Sequence, residues 1–338
     1  MLNSPLAGAS KVLVVCLDNI GDLIWAGALA SQLKRALPSR TVGLWSKSYA
    51  SGVTPFIPDW DCLHTCDPFW ESSPGGTHGT LGAFKKTLSE IADVSYDAAV
   101  IVNSRWKVCA AVRWTGINER VGFAQRGSTP WLTRLAVRED RSREVLDEWS
   151  RLLTPFMEIE HRPLPILRVP ESYTSRQKEI ASSFIGSRVA ILHPSAGDPR
   201  RCAPQLFWRD LASGLEDAGF SLGWIGRSDE LEPLRAVLGK SAESHLWVDK
   251  CGSGSLQDSL LMTASASLFI GHDSGPLHAA AGFGVPSIGL YLPGDWPRAR
   301  PTGKGPIRVF RHEDPADLDS LAVLRAAKML TSKEEATA

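Results

Sequence analysis

The sequence has no excess of either charge: lysine plus arginine number 37, as do aspartate plus glutamate. That balance removes the basic surplus on which bulk nucleic-acid affinity usually rests. It leaves one local candidate, the basic residues from Arg105 through Arg113 with Arg120 and Arg126, whose other reading is a solvated helix face. No apolar run approaches the roughly 20 residues of a spanning helix. No basic segment precedes the strand-length stretch Val12 to Cys16, so no signal peptide is expected and cytoplasmic residence is the default. The six cysteines contain no CxxC pair, which argues against a disulfide framework. Cys16, Cys109 and Cys251 read instead as buried small hydrophobes. The eight histidines form neither HExxH nor a Cys/His cluster, so no metal site is expected. Solenoid repeats and low-complexity tracts are also missing.

What is present is an ordinary globular composition, 43% hydrophobic and 22% charged, on 338 residues, enough for two domains. The most informative stretch is Leu268 to Pro286, LFIGHDSGPLHAAAGFGVP. A short apolar run ends in His272-Asp273-Ser274-Gly275 and passes into a small-residue helical pattern, which reads as strand, tight turn and helix. Backbone N–H groups, a hydroxyl and an imidazole then meet at the positive end of a helix dipole. Such a turn suits an anion, above all the diphosphate of a nucleotide. A second turn of this kind, Leu17 to Asp22, lies near the N-terminus. Two such turns, one in each half, predict a two-lobed protein with its ligand between the lobes.

Strand and helix patterns alternate throughout, the mark of an α/β protein with parallel sheets. Lys11–Cys16 reads as a strand buried on both faces, Leu23–Leu37 as a helix stopped by Pro38, and Thr41–Trp45 and Tyr96–Val102 as further strands. Residues 67–82 read as a surface loop and Ser142–Met157 as a helix. The proline-rich segment from His161 to Pro170 reads as the linker. The pattern restarts at Arg188–His193 and continues through Pro286–Tyr291 as a second Rossmann-like domain. The expected organisation is residues 1–162, residues 172–315, and a terminal helix and tail, 316–338, able to pack back across both domains.

Several residues stand where open α/β sheets place their chemistry. Asp22 is either a helix cap or, facing a phosphate-binding lobe, a general base for an acceptor hydroxyl. Asp18 and Asn19 either touch an acceptor or satisfy the turn's own backbone. Gly21 is the only glycine of that turn, so G-x-G-x-x-G is missing and a dinucleotide cofactor is not expected there. In the loop from His193 to Arg201, Ser195 can donate to phosphate oxygens, and Arg200 or Arg201 can neutralise their charge bidentately; the alternative is a solvated loop. Asp273, Ser274, Gly275 and His278 form the strongest diphosphate candidate, although a histidine in a first helical turn can also be a buried core residue. Glu230 or Glu232 could accept from ribose hydroxyls or simply begin a helix. Trp25, Trp106 and Trp296 lie near these loops and could stack on a sugar face.

Three segments together resemble glycosyltransferase family 9, best known for the ADP-heptose heptosyltransferases of lipopolysaccharide core assembly. Lys11–Pro38 is similar to the family's opening strand, IGD turn and long helix. Ile191–Leu215 is similar to its HPGA and KRWP segment, and Leu268–Tyr291 to its NDTGPMH segment. The resemblance implies a GT-B fold, two Rossmann-like domains whose parallel sheets face a central cleft. The N-terminal domain would bind the acceptor and the C-terminal domain the nucleotide sugar. It implies inverting, metal-independent transfer of a sugar, heptose first, from a nucleotide-diphosphate donor, ADP-linked first, with no cofactor. Asp22 matches the family's base, and Ser274, Gly275 and His278 its diphosphate turn, preceded by Asp273. The acceptor would be a glycan, a glycolipid or a small natural product, a lipid-linked one bringing peripheral membrane contact; no nucleic acid is expected.

The chain departs from the family in three places. Arg201 followed by Cys202-Ala203-Pro204 replaces a lysine before WP, which keeps the charge but supplies no general acid. Ser274 replaces threonine and keeps the hydroxyl. Asp18-Asn19 replace the paired small hydroxyl residues of many lipopolysaccharide enzymes, which leaves the acceptor open. A nucleotide-sugar epimerase on the same fold and a binding protein without turnover are the alternatives. Acceptor-dependent nucleotide release separates them from a transferase.

Overall fold

Apolar strands buried on both faces and short βα turns build two parallel sheets of six strands each in the computed structural model. It describes residues 4–71, 78–138, 144–159, 161–184, 186, 188–249, 255–293 and 296–332. Cys251 and residues 333–338 of the expected tail lie outside the described residues, as do residues 72–77 of the expected loop. The chain divides into compact units of residues 1–166 and 167–338.

In the first unit the elements run β1 (Lys11–Cys16), α1 (Ile20–Ala36), β2 (Thr41–Ser46), β3 (Cys62–Thr65), α2 (Leu81–Val94), β4 (Ala98–Ile101), α3 (Trp106–Trp114), β5 (Glu119–Phe123), β6 (Arg134–Ala136) and α4 (Val145–Ser150). The sheet order is β3-β2-β1-β4-β5-β6. Strand order reverses between β1 and β4, and open α/β sheets bind ligands in the crevice at such a point. That crevice receives the turn from Leu17 to Asp22. The expected helix over Ser142–Met157 is shorter, because α4 gives way to a 3-10 turn at Arg151–Leu153. Trp25, offered above as a sugar platform, is instead core: it is buried and meets Trp149 edge-on at 6.3 Å. Arg120 leaves the proposed basic face as well. It is buried and its guanidinium donates to the carbonyls of Ile117, Asn118 and Trp131.

The second unit runs α5 (Thr174–Ser182), β7 (Val189–His193), α6 (Gln205–Asp217), β8 (Ser221–Gly226), α7 (Ser228–Leu238), β9 (Leu246–Asp249), α8 (Leu256–Ala264), β10 (Leu268–His272), α9 (Gly275–Phe283), β11 (Ser287–Tyr291), β12 (Ile307–Arg311) and α10 (Ser320–Thr331). Its order, β12-β11-β10-β7-β8-β9, reverses between β7 and β10. The loops after those strands are the two diphosphate candidates. Gly284 ends α9 at φ 81°, a left-handed cap that glycine adopts without the strain a Cβ brings. The terminal helix α10 packs on α6 within this unit, with Val323 and Ala327 in its core and Leu324 against Gly214.

The core under the site is aromatic. Trp208 of α6 is 1% exposed and lies 6.0 Å from the Trp224 ring and 5.6 Å from the His272 ring. Trp208→Ala would leave a large void at that junction. We expect a loss of about 3–5 kcal/mol in a urea titration, the range for truncating a buried large aromatic. A loss below about 1 kcal/mol would contradict this packing.

Candidate active site

Asp22 lies at the third position of α1, and Asn19 is the residue that caps the helix. The Asn19 N–H donates to Asp22 Oδ2 at 3.1 Å. Asp22 therefore does serve the helix start, but from inside the first turn rather than as its capping residue. Asn19 Oδ1 accepts from the Tyr49 hydroxyl at 2.6 Å. Burial, then the Asp22 and Asp18 charges, push the Tyr49 phenol well above its ordinary range, so it remains a donor.

Asp18 is tied across the switch point to the end of β4. Its Oδ1 accepts from Asn103 Nδ2 at 2.9 Å and from Arg105 Nη2 at 3.1 Å. Its Oδ2 is buried without a hydrogen-bond partner. Burial raises the Asp18 carboxyl above its usual range against the opposing pull of Asn103 and Arg105. Arg105 continues to Glu71 at 2.8 Å, and Lys47 reaches the other Glu71 oxygen at 2.6 Å. Burial alone would raise Glu71, but Lys47 and Arg105 outweigh it and hold the carboxyl below its ordinary value. Sequence reading found Asp18 and Asn19 but missed Asn103, Glu71 and Lys47. Their partners lie 24 to 85 residues away in the chain.

In the second unit the structure separates the two arginines. Arg200 is exposed and paired with Asp198 at 2.7 Å. Arg201 points back to the β10 turn, with Nη1 3.4 Å from Asp273 Oδ2. Asp273 Oδ1 lies 3.5 Å from Nε2 of the buried His278. The Asp273 carboxylate thus stands between two groups expected to meet phosphate. Its charge has the sign of a phosphate's, and its two oxygens face Arg201 and His278. Ser274 precedes Gly275, the first residue of α9. Orphan N–H groups belong to this turn by helix geometry, and Pro276 removes one that would otherwise need a partner. Ser195 Oγ donates to Glu230 Oε2 at 2.7 Å, and that same oxygen accepts from the Arg227 N–H at 3.0 Å. Glu230 therefore serves the start of α7 while facing the loop after β7.

His272 is a residue the sequence reading used only as part of a turn. It is fully buried, and its Nε2 accepts the Ala203 N–H at 3.1 Å, pinning the loop that carries Arg201. Burial depresses its pKa to about 4. An ordinary histidine in the unfolded chain titrates near 6.5. Because the folded value is lower, this stability is complete above pH ~6.5 and is lost as pH falls toward 4, up to about 3 kcal/mol. We expect unfolding midpoints to drop between pH 7 and 5 in the wild type and to drop less in His272→Gln. Equal slopes would contradict this assignment.

Among the described residues no group of three His, Cys, Asp or Glu is placed to hold a metal ion, and no helix is long and apolar enough to cross a membrane. Trp106 is exposed, and Trp296 packs edge-on to Tyr291 beneath Arg311.

The family model described as glycosyltransferase family 9 (heptosyltransferase) matches residues 83–319, a span that begins after the Leu17–Asp22 turn. The chain is 23% identical over 324 residues to lipopolysaccharide heptosyltransferase 2 of Escherichia coli strain K12, covering 89% of this chain and 88% of that protein. Its fold is similar to the structure of E. coli ADP-heptose lps heptosyltransferase II, with a TM-score of 0.81 at 19% identity, covering 96% of this chain and all of the other. It is also similar to E. coli heptosyltransferase WaaC with ADP, with a TM-score of 0.77 at 14% identity over 95% and 99% of the two chains. The GT-B fold implied by the resemblance is the one shared with these structures.

Proposed function

The chain belongs to glycosyltransferase family 9, and from that premise we propose that it transfers heptose from an ADP-linked donor to an acceptor hydroxyl, with inversion and without a metal. One observation carries the reading. At the strand-order reversal of the second sheet, Ser274, the α9 N-terminus, Arg201 and His278 converge on one turn. That set supplies a hydroxyl, backbone N–H groups and a guanidinium, the donors a diphosphate needs as charge builds on it. The relatives named for ADP-heptose and ADP support the choice of nucleotide and sugar.

In this mechanism Asp22 takes the proton of the acceptor hydroxyl. The oxygen attacks the anomeric carbon on the face opposite the leaving diphosphate, and the C–O bond to the diphosphate breaks with its electron pair. Arg201 and the α9 turn neutralise the departing charge. His278, held by Asp273, is available to hydrogen-bond the same group. Glu230 receives the ribose hydroxyls. Catalysis is positioning plus electrostatics, and Arg201 supplies no proton. A lipopolysaccharide acceptor is supported by the relatives' names, while Asp18-Asn19 mark an acceptor side of this chain's own kind.

The test is ADP release from ADP-heptose in EDTA, with and without a delipidated core-oligosaccharide acceptor. Acceptor-dependent release, with a product of opposite anomeric configuration, is expected. Acceptor-independent conversion of the sugar would favour the epimerase reading, and binding without turnover the non-catalytic one.

A further inference from the structure

A hydrogen-bonded chain in the second unit joins the two halves of the proposed donor site through a residue no role above uses. His193 ends β7 and is 5% exposed. Its Nδ1 lies 3.2 Å from Ser274 Oγ and its Nε2 3.3 Å from Ser195 Oγ. Ser195 Oγ lies 2.7 Å from Glu230 Oε2, and Ser274 Oγ 3.0 Å from the His272 carbonyl. A neutral imidazole has one N–H donor and one acceptor nitrogen, and each hydroxyl has one proton to give. With the ring neutral, the four contacts share three protons, so each of two arrangements satisfies three of them: the first leaves the His272 carbonyl without a proton, and the second leaves Glu230 without the Ser195 proton. In the first, Ser274 donates to Nδ1, Nε2–H donates to Ser195, and Ser195 donates to the Glu230 carboxylate. In the second, Nδ1–H donates to Ser274, Ser274 donates to the His272 carbonyl, and Ser195 turns to donate to Nε2.

These arrangements differ in what they offer a ligand. The first includes a short charge-assisted bond to Glu230, the stronger kind, so it is favoured in the unliganded protein. It also occupies both groups the donor needs: the Ser274 proton is spent on Nδ1, and Glu230 Oε2 is engaged by Ser195. The second frees both at once. Ser274, already receiving Nδ1–H, can redirect its proton from the His272 carbonyl to a phosphate oxygen. Glu230 Oε2, released by Ser195, can accept a ribose hydroxyl.

We propose that His193 is a tautomeric coupler: nucleotide binding moves its proton from Nε2 to Nδ1, so that diphosphate capture at Ser274 and ribose capture at Glu230 strengthen each other. This rests on the diphosphate and ribose roles assigned above. The proton leaves one nitrogen and arrives at the other by exchange with water, with no change in net charge. His193 touches neither ligand group in this scheme and is a positioning residue. The coupling is reciprocal, because both ligand contacts favour the same tautomer.

The direct test is 15N NMR of histidine-labelled wild-type protein, with His193 assigned through its backbone and ADP as the probe. The proton is expected on Nε2 without nucleotide and on Nδ1 at saturating ADP. The second arm is a cycle of Ser274→Ala and Glu230→Gln scored by ADP affinity. In the wild-type background the double variant should lose less than the product of the single losses, by about fivefold or more; in a His193→Phe background the losses should multiply. Both single variants weakening ADP independently, with the proton fixed on one nitrogen, would overturn the coupling and leave the donor site standing. Neither variant weakening ADP would overturn the site assignment and the coupling with it. A purely structural role for His193 moves neither the tautomer nor the non-additivity.

Discussion

Asp22→Asn should lower turnover at least ~100-fold while donor affinity stays nearly unchanged, the range for loss of a general base. The structure makes this substitution a clean one. Asp22 receives the Asn19 N–H through one side-chain oxygen, and asparagine retains such an oxygen, so the start of α1 is preserved while proton abstraction is lost. Asp22→Ala removes both functions and should additionally cost about 0.5–2 kcal/mol of stability, the usual magnitude for a lost cap. Steady-state kinetics with the donor varied, together with calorimetric donor affinity, separate the two. Near-normal kcat in Asp22→Asn with an intact fold would assign the carboxylate to helix capping alone.

Arg201→Ala should weaken ADP binding by about 10- to 100-fold, since a charge-assisted hydrogen bond contributes about 1.5–3 kcal/mol, and leave adenosine binding nearly unchanged. The expectation follows from its contact with Asp273, which aims the guanidinium at the α9 turn, whereas Arg200 is engaged with Asp198 in solvent. Arg200→Ala is therefore the control and should change little. Arg201→Lys should recover part of the loss, since the charge returns without the bidentate geometry. Equal weakening of ADP and adenosine by Arg201→Ala would show that the residue supports the loop and does not contact the diphosphate.

The parts of this architecture that were legible in the sequence are those whose signal is local. β1, β7 and β10 are continuous apolar runs buried on both faces, and each turn that follows is short and polar. The outer strands β3, β6 and β12 carry only three to five residues with partly exposed faces. Their pairing comes from the neighbouring strand rather than from their own pattern, and the sequence reading passed over them. α2 was missed as well, although Phe84, Thr87 and Ile91 mark a buried face behind the Thr80 cap; the Gly- and Ser-rich stretch before it drew the reading toward a loop. In the candidate site, Ser274, Gly275 and His278 announce themselves because they share one turn. The choice of Arg201 over Arg200, the Asp18–Asn103 and Arg105–Glu71 ties, and the anchoring of Ala203 by His272 all join residues far apart in sequence. Spacing carries no such information. Burial also decided what residue type could not: Trp25 and Arg120 are core residues, however suggestive an indole or a guanidinium looks beside a ligand loop.

The most direct measurement is calorimetric titration of ADP, AMP and adenosine into the full chain in the presence of EDTA, with UDP and GDP alongside. The account predicts that one nucleoside diphosphate, ADP first, binds at least tenfold tighter than its monophosphate and that added magnesium does not change this. Diphosphate and nucleoside binding with equal affinity, or binding that appears only with magnesium, would contradict the assignment of the β10–α9 turn and Arg201 as a metal-free diphosphate site.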